Sequence, residues 1–287
     1  MAITTANRPE ATQLEATPVR PRRAKRPSFV RTSVLPAVGA AIIVIALWQA
    51  VVSVFGMPTY LLPSPLDFVQ AVGSEAGNLV QPSLVTMQEA YLGFALAAVV
   101  GFLAALLMAR WNLVERGMYP YLVLLQTIPI IAVAPLFVVW FGSGIATNVL
   151  VSAMIAVFPV AANTLQGLKS TDRNLVQLYR MAGAPERVQL FSLRVPAALP
   201  QILTGLRIAS GSSVIGAIVG EFVAGIGGGA GGLGYVITLD ATQLRTPELF
   251  AAVIAASLVS LIIFGVVALI EGQLLKRWHE SALPTEE

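Results

Sequence analysis

The sequence predicts an all-α polytopic membrane protein. Of its 287 residues, 56% are hydrophobic and only 11% are charged, a balance that one soluble domain cannot hide in its core. Six apolar segments are long enough to cross a bilayer, because about 20 helical residues span a hydrocarbon core of about 30 Å. These segments lie near 34–55, 84–109, 119–140, 147–168, 197–224 and 250–275.

The positions of the basic residues predict the orientation of these spans. Lysine and arginine are concentrated before the first span, after the second and after the fourth, whereas residues 56–83 and 141–146 contain none. Positive charge is retained on the cytoplasmic side of bacterial membranes. We therefore expect a multi-pass membrane protein with both termini and the loops at 110–118 and 169–196 in the cytoplasm.

The two ends of the chain are expected to be tails around a membrane domain at 34–275. Residues 1–33 are rich in proline and arginine and have no apolar stretch, which is typical of a disordered cytoplasmic tail. Residues 276–287 form the predicted C-terminal cytoplasmic tail. A cleaved signal peptide is the alternative for the N-terminus, but the apolar run at 34–55 is too long for one and lacks a suitable cleavage site.

Composition argues against most chemistry on this chain. Cysteine is absent and His279 is the only histidine, so no disulfide, no metal site and no catalytic residue is expected. The chain has no P-loop motif, and its basic residues lie between apolar runs, so neither ATP nor nucleic acid is expected to bind it. Residues 229–234 fit G-x-G-x-x-G but do not follow a strand, and the glycine-rich run at 225–234 is interpreted as a flexible external loop.

Proline and small residues predict local features of the bundle. Residues 57–83 are expected to form an extended entry and a short external helix over 66–79. Pro129, Pro135 and Pro159 are expected to kink the third and fourth spans. Stripes of small residues on the second and fifth spans predict close helix packing, either within one subunit or between subunits. Thr246 is expected to cap the last helix.

The segment 169–196 predicts an amphipathic helix-turn-helix elbow on the cytoplasmic side. Thr171 or Asp172 can cap a first helix, Gly183 suits its end, and Pro185 suits the first turn of a second helix. Apolar residues recur at intervals of three and four: Leu175, Leu178, Met181, Val188, Phe191 and Leu193. This face requires cover, for which the membrane surface, the protein's own helix ends and a groove on a soluble partner are the candidates.

Gly183, followed after nine residues by Leu193, Arg194, Val195 and Pro196, resembles the EAA loop of permeases from binding-protein-dependent ABC importers. The family pattern is Glu-Ala-Ala, three residues, Gly, nine residues and Ile-x-Leu-Pro. This chain departs from it at the front, where Gln177, Leu178 and Tyr179 replace Glu-Ala-Ala. Further similarity at 62–65, 124–142, 158–172 and 220–235 is closest to the nitrate, sulfonate and taurine group. Within that group, Glu89 and Glu221 resemble the thiamine-pyrimidine or riboflavin branch.

The resemblance implies a type I ABC importer transmembrane domain that carries a small organic or anionic solute. It also implies a homodimer, two cytoplasmic ATPase subunits that bind ATP and Mg, and an extracytoplasmic solute-binding protein, with no cofactor on this chain. The residues that would meet the ATPase or shape the coupling elbow are Gln177, Arg180, Gly183, Ala184, Glu186, Arg187, Leu193 and Pro196.

Polar residues inside the spans are candidates for the translocation pathway, because an acidic side chain at the membrane centre costs about 2.5–3.5 kcal/mol. Glu89 and Glu221, near the outer ends of their spans, are either an outer gate or solute contact, or interfacial carboxylates that are hydrated or paired with Arg245. Deeper polar residues would line the cavity or bond between helices: Gln126, Thr127, Asn163, Ser210 and Ser213.

Two other functions are considered for the bundle. An ATP-independent secondary transporter or channel would need ionisable residues deep in the membrane to bind coupling ions, and none is expected near the midplane. An intramembrane enzyme would need a constellation of catalytic or metal-binding side chains, and no span contains one.

Overall fold

The computed structural model describes residues 35–225 and 231–280, and within these ranges the chain is helical with no strand. The elements are α1 (Leu35–Phe55), α2 (Pro65–Arg110), α3 (Asn112–Thr127), α4 (Ile130–Phe141), α5 (Ile145–Lys169), α6 (Arg173–Met181), α7 (Glu186–Val188), a π-helical segment (Gln189–Arg194), α8 (Val195–Gly225), α9 (Leu233–Thr242) and α10 (Thr246–Glu280). Of the described residues, 35–47 form one unit and those from Trp48 onwards form a second, whose packing is described below. The predicted tail at 1–33 lies outside the described residues. Of the predicted tail at 276–287, residues 276–280 continue α10 instead, and 281–287 lie outside the described residues.

Five helices are long and apolar enough to cross a membrane, and the pair α3 and α4 gives a sixth crossing if it counts as one bent span. The predicted fold class is therefore confirmed. Four of the five, α1, α5, α8 and α10, agree closely with predicted spans.

Helix α2 contradicts the prediction of a separate external helix, because residues 65–110 form one helix of 46 residues. Ser64 starts it with a capping box: its Oγ accepts a hydrogen bond from Asp67 N (3.2 Å), and the Asp67 carboxylate accepts one from Ser64 N (3.0 Å). Pro82 lies inside the helix without ending it. At 1.5 Å per residue α2 is about 70 Å long, so it extends well beyond a hydrocarbon core.

The prediction that the third span, 119–140, is a single kinked helix is wrong. Helices α3 and α4 meet at an angle of 100° across Ile128 and Pro129. Pro129 disfavours helical backbone at the preceding residue, and Ile128 is extended (φ −67°, ψ 126°). Pro135 and Pro159 lie inside α4 and α5, and neither helix is interrupted there.

Helix α5 packs against both α2 and α8, and small residues allow the three backbones to approach. A Cβ atom on Gly101 of α2 would lie 2.9 Å from the Val157 carbonyl oxygen of α5. One on Gly216 of α8 would overlap the Cα atom of Ser152. These glycines thus pack within one subunit. Of the two interpretations of the small-residue stripes, packing within a subunit is therefore the one that applies to them.

Helix α9 was not predicted, and its first two residues belong to the run 225–234 that was interpreted as a flexible loop. Residues 226–230 of the predicted flexible loop lie outside the described residues, but Leu233 and Gly234 are buried in the first turn of α9. Beyond its end, Arg245 Nη2 lies 2.7 Å from Asp240 Oδ1. Burial raises the pKa of the Asp240 carboxyl, and the charge of Arg245 opposes this rise. Helix α10 then begins at Thr246 itself, and the cap expected from this residue stays a prediction.

Candidate functional site

The elbow between α5 and α8 has the local structure that its sequence predicts. Asp172 caps α6 by accepting a hydrogen bond from Asn174 N (2.8 Å). Gly183 has a left-handed backbone (φ +71°), and the N–H groups of Gly183 and Ala184 donate to the carbonyl oxygens of Arg180 and Tyr179 (both 3.0 Å). This is a Schellman motif, for which glycine is strongly favoured.

The apolar face of the elbow is left uncovered by the described chain. Met181 is 79% exposed and Phe191 58% exposed, and Leu175, Leu178 and Val188 are exposed as well. The protein's own helix ends therefore do not cover this face. Large apolar side chains grouped in this way mark a surface for a membrane or a partner.

The turn of the elbow is anchored to the bundle. Gln189 is buried and its Nε2 donates to the Ala184 carbonyl oxygen (2.8 Å). Leu190 is buried against Leu168 and Ala198. Arg110 at the end of α2 forms an ion pair with Glu186 (Nη1 to Oε2, 3.3 Å). The elbow is therefore in contact with α2, α5 and α8.

The predicted coupling residues all lie on or next to this elbow. Gln177, Arg180, Gly183, Glu186 and Arg187 are exposed, and Ala184, Leu193 and Pro196 are half-buried. Leu193 and Pro196 stand where the π-helical segment runs into α8 without a break. Sequence analysis missed Arg110, which lines a cleft of about 600 Å³ together with Arg180, Glu186 and Arg194. Only its tertiary contact with Glu186 identifies it.

Glu89 and Glu221 form a buried acidic pair at the end of the bundle opposite the elbow. Glu89 is 0% exposed and Glu221 is 2% exposed, and the two carboxyls lie within hydrogen-bonding reach of each other. Thr86 Oγ1 donates to Glu221 Oε1 (2.6 Å), and Gly234 N donates to Oε2 (2.5 Å). Asn148 Nδ2 donates to Glu89 Oε1 (2.9 Å), while Glu89 Oε2 has no hydrogen-bond partner.

The interpretation of these carboxylates as interfacial groups paired with Arg245 is wrong. Both are enclosed by α2, α5, α8 and α9, and Arg245 pairs with Asp240 instead. Sequence analysis placed them near the outer ends of two spans but could not show that helix packing brings them into contact.

The expectation of no ionisable residue near the midplane is also wrong, because Arg207 lies near the middle of the predicted span 197–224. Its Nη1 is 3.3 Å from Oε2 of Glu271 on α10. One arginine does not lower the mean hydropathy of a long span enough to interrupt it. The ion pair compensates its charge, so Arg207 does not create a site for a coupling ion.

The other predicted pathway residues are placed differently from one another. Gln126 and Thr127 are exposed where α3 meets α4, and Asn163 is half-buried. Ser210 and Ser213 are buried and donate to carbonyl oxygens of their own helix. The outward face of α8 carries other side chains, which sequence analysis missed: Gln201, Ile208 and Ile215 are exposed, and Thr204 and Ser212 are half-buried.

Comparison with known proteins gives a consistent result. Residues 97–279 match the sequence profile of the family described as binding-protein-dependent transport system inner membrane component. The chain is 41% identical to a formylaminopyrimidine transport permease protein of Halalkalibacterium halodurans, over 84% of this chain and 94% of that protein. It is 35% identical to a riboflavin transport system permease protein of Chloroflexus aurantiacus (86% and 92% covered). It is 33% identical to a putative aliphatic sulfonates transport permease protein of Bacillus subtilis (94% and 95% covered).

Proposed function

Because the chain belongs to the family of binding-protein-dependent transport system inner membrane components and is the permease subunit of an ABC transporter, we propose how it is assembled and driven. Two copies form the translocation path, two ATPase subunits that bind ATP and Mg dock on the elbows, and a solute-binding protein docks at the opposite end. The bundle supplies the path, and the ATPase supplies the energy.

The observation that carries this proposal is the uncovered apolar face of an anchored elbow. Met181 and Phe191 stand exposed on either side of a fixed turn, which suits insertion into a preformed groove. The elbow continues into α8, so a displacement imposed on it would move a membrane helix. A groove on a partner thus accounts both for the exposed apolar side chains of the elbow and for the continuous connection of the elbow to α8. Contact with the membrane accounts only for the exposed apolar side chains.

The coupling surface is tested by Met181→Asp, with Met181→Leu as the matched control. We expect the aspartate variant to insert in the membrane but to lose its ATPase subunit during purification in detergent, while the leucine variant retains it. Burying a charge in an apolar groove is far more costly than exchanging two apolar side chains. Retention of the ATPase by Met181→Asp at the normal ratio would contradict the proposal.

The second copy is proposed to face the exposed side of α8. Thr204 Oγ1 and Ser212 Oγ donate to carbonyl oxygens of their own helix, so these polar residues are satisfied inside the membrane yet remain available along a path. The chain has no cysteine, so single-cysteine variants report proximity directly. We expect Ser212→Cys to cross-link two copies and Ser257→Cys, on the exposed face of α10, not to do so. The reverse result would place the second copy on α10.

The elbow and both termini are proposed to lie in the cytoplasm of a bacterial cell, with the chain in the inner membrane. The support is the concentration of lysine and arginine at 1–33 and 169–196. Labelling of Asn174→Cys, an exposed site outside the proposed coupling residues, by a membrane-impermeant maleimide tests this orientation. We expect labelling in inverted vesicles and none in intact spheroplasts, and labelling in spheroplasts alone would reverse the topology.

The solute is proposed to be a pyrimidine-like or riboflavin-like heterocycle rather than nitrate, a sulfonate or taurine. The support is that relatives named for formylaminopyrimidine and riboflavin transport are 41% and 35% identical to this chain, against 33% for a relative named for sulfonates. Competition of both solute classes for ATP-dependent uptake into vesicles loaded with the whole transporter tests the proposal. Competition by taurine or an alkanesulfonate alone would reject it.

A further inference from the structure

The buried acidic pair contains one carboxylate oxygen without a hydrogen-bond partner. Glu89 Oε2 is buried without a hydrogen-bond partner, although the Glu221 carboxyl lies within reach. No lysine, arginine or histidine of the described chain acts on either carboxyl. Two ionised carboxylates in such an enclosure would repel each other strongly. A proton between them removes the repulsion and gives Glu89 Oε2 a partner.

The surrounding hydrogen bonds show which member carries that proton. Glu221 already accepts from Thr86 Oγ1 and from Gly234 N, one donor on each oxygen, which is the environment of an ionised carboxylate. Glu89 accepts only from Asn148 Nδ2, on Oε1, so its Oε2 is free to carry a hydrogen and donate it.

The same network fixes the first turn of α9. Gly234 N bonds to Glu221, and Leu233 N donates to Thr86 Oγ1 (2.8 Å). A Cβ atom on Gly232 would overlap the Glu221 carboxylate, so the chain can pass this close only as glycine. An anion next to the first amides of a helix is favourable, because their N–H groups have no partner within the helix.

We propose that Glu89 is the protonated, hydrogen-bond-donating member of this pair and Glu221 the ionised member, and that together they position α9 on α2 and α8. Glu89 and Glu221 are positioning residues with unequal roles. The assignment is independent of the solute and of the ATPase partner, and it concerns the end of the bundle opposite the elbow.

The unequal roles give a direct test on the whole transporter in lipid vesicles. Glu89→Gln keeps a donor towards Glu221, so we expect uptake within about twofold of wild type. Glu221→Gln places an amide N–H where Thr86 Oγ1 and Gly234 N already donate. We therefore expect uptake to fall about tenfold or more, which is the factor that corresponds to the loss of one charge-assisted hydrogen bond. Equal losses in the two variants, or a greater loss in Glu89→Gln, would overturn the assignment.

Infrared spectroscopy tests the proton itself. The wild-type minus Glu89→Gln difference spectrum at neutral pH is expected to show the carbonyl stretch of a protonated carboxylic acid. If the difference contains only carboxylate bands, Glu89 is ionised, a bound cation takes the place of the proton, and the proposal fails. Asn148→Ala leaves both carboxyls in place and should retain the protonated band.

A milder pair of variants keeps the test usable if Glu221→Gln does not assemble. Thr86→Ser preserves the hydroxyl that bridges Glu221 and Leu233, whereas Thr86→Val removes it at nearly constant volume. We expect faster labelling of Val236→Cys, a half-buried site on α9, in the Thr86→Val background than in the Thr86→Ser background. Equal labelling rates would show that the network does not hold α9.

Discussion

Arg207 on α8 lies 3.3 Å from Glu271 on α10, measured from Nη1 to Oε2, and the ion pair joins two membrane helices. The Glu271 side chain is only 9% exposed, and the geometry is that of a charge contact, since Oε2 makes no hydrogen bond. Each charge is tolerated in the bundle because the other is present.

Removing one partner of this pair should destabilise the protein more than removing both. We expect Arg207→Met to lower stability by about 3 kcal/mol, because it leaves Glu271 buried without a counter-ion. The double variant Arg207→Met/Glu271→Leu should recover most of that loss. Thermal unfolding in detergent measures the difference. The control is Lys169→Met, which removes the exposed pair with Glu115 and should change stability by less than about 1 kcal/mol.

The requirement for glycine at position 183 is one of backbone conformation and not of space. A Cβ atom there would meet nothing within 4 Å, but φ is +71°, a region that costs other residues about 1–2 kcal/mol. Asparagine tolerates this conformation better than β-branched residues do. We therefore expect Gly183→Asn to keep uptake coupled to ATP hydrolysis and Gly183→Val to reduce the number of solute molecules imported per ATP. Identical coupling ratios would show that the turn geometry is dispensable.

At position 216 the requirement is for space. An added Cβ would lie 3.1 Å from the Val151 carbonyl oxygen and overlap the Cα atom of Ser152, so α5 and α8 would have to separate. We expect Gly216→Ala to destabilise the bundle by about 1–3 kcal/mol, as overpacking does. Gly265→Ala on α10 is the matched control, because a Cβ there has open space and alanine favours helix. Comparable unfolding temperatures for the two variants would contradict the close approach of α5 and α8.

The sequence was sufficient to predict α1, α5, α8, α10 and the elbow because their signals are local. A long apolar run identifies α5 or α10 by itself, and Gly183 and Asp172 mark the turn and cap through their own conformational preferences. The sequence could not show that the helix continues through Pro82 but breaks at Pro129. Both residues lack an N–H, and the neighbouring helices that each segment contacts decide whether the helix continues.

The parts of the candidate site that sequence analysis missed are pairs of residues from distant segments. Glu89 and Glu221 are 132 positions apart and Arg207 and Glu271 are 64 apart, so nothing in either local segment reveals the partner. Ser210 and Ser213 illustrate the same limit on α8. Both are suited to a pathway by their chemistry, but both are buried, whereas Thr204 and Ser212 lie half-buried on the outward face of the helix.

The ion pair between Arg110 and Glu186 gives a last prediction, because it connects the elbow to the end of α2. The two side chains are 3.3 Å apart and Glu186 is largely exposed, so the pair should contribute less than about 1 kcal/mol to stability. We nevertheless expect Arg110→Glu to weaken coupling, since repulsion from Glu186 would displace the elbow from α2. Uptake and ATP hydrolysis measured together in vesicles should show that Arg110→Glu/Glu186→Arg restores the ratio that the single variant loses. If the exchanged pair is as uncoupled as the single variant, Arg110 acts through contacts other than Glu186, and the cleft that it lines with Arg180 and Arg194 becomes the relevant surface.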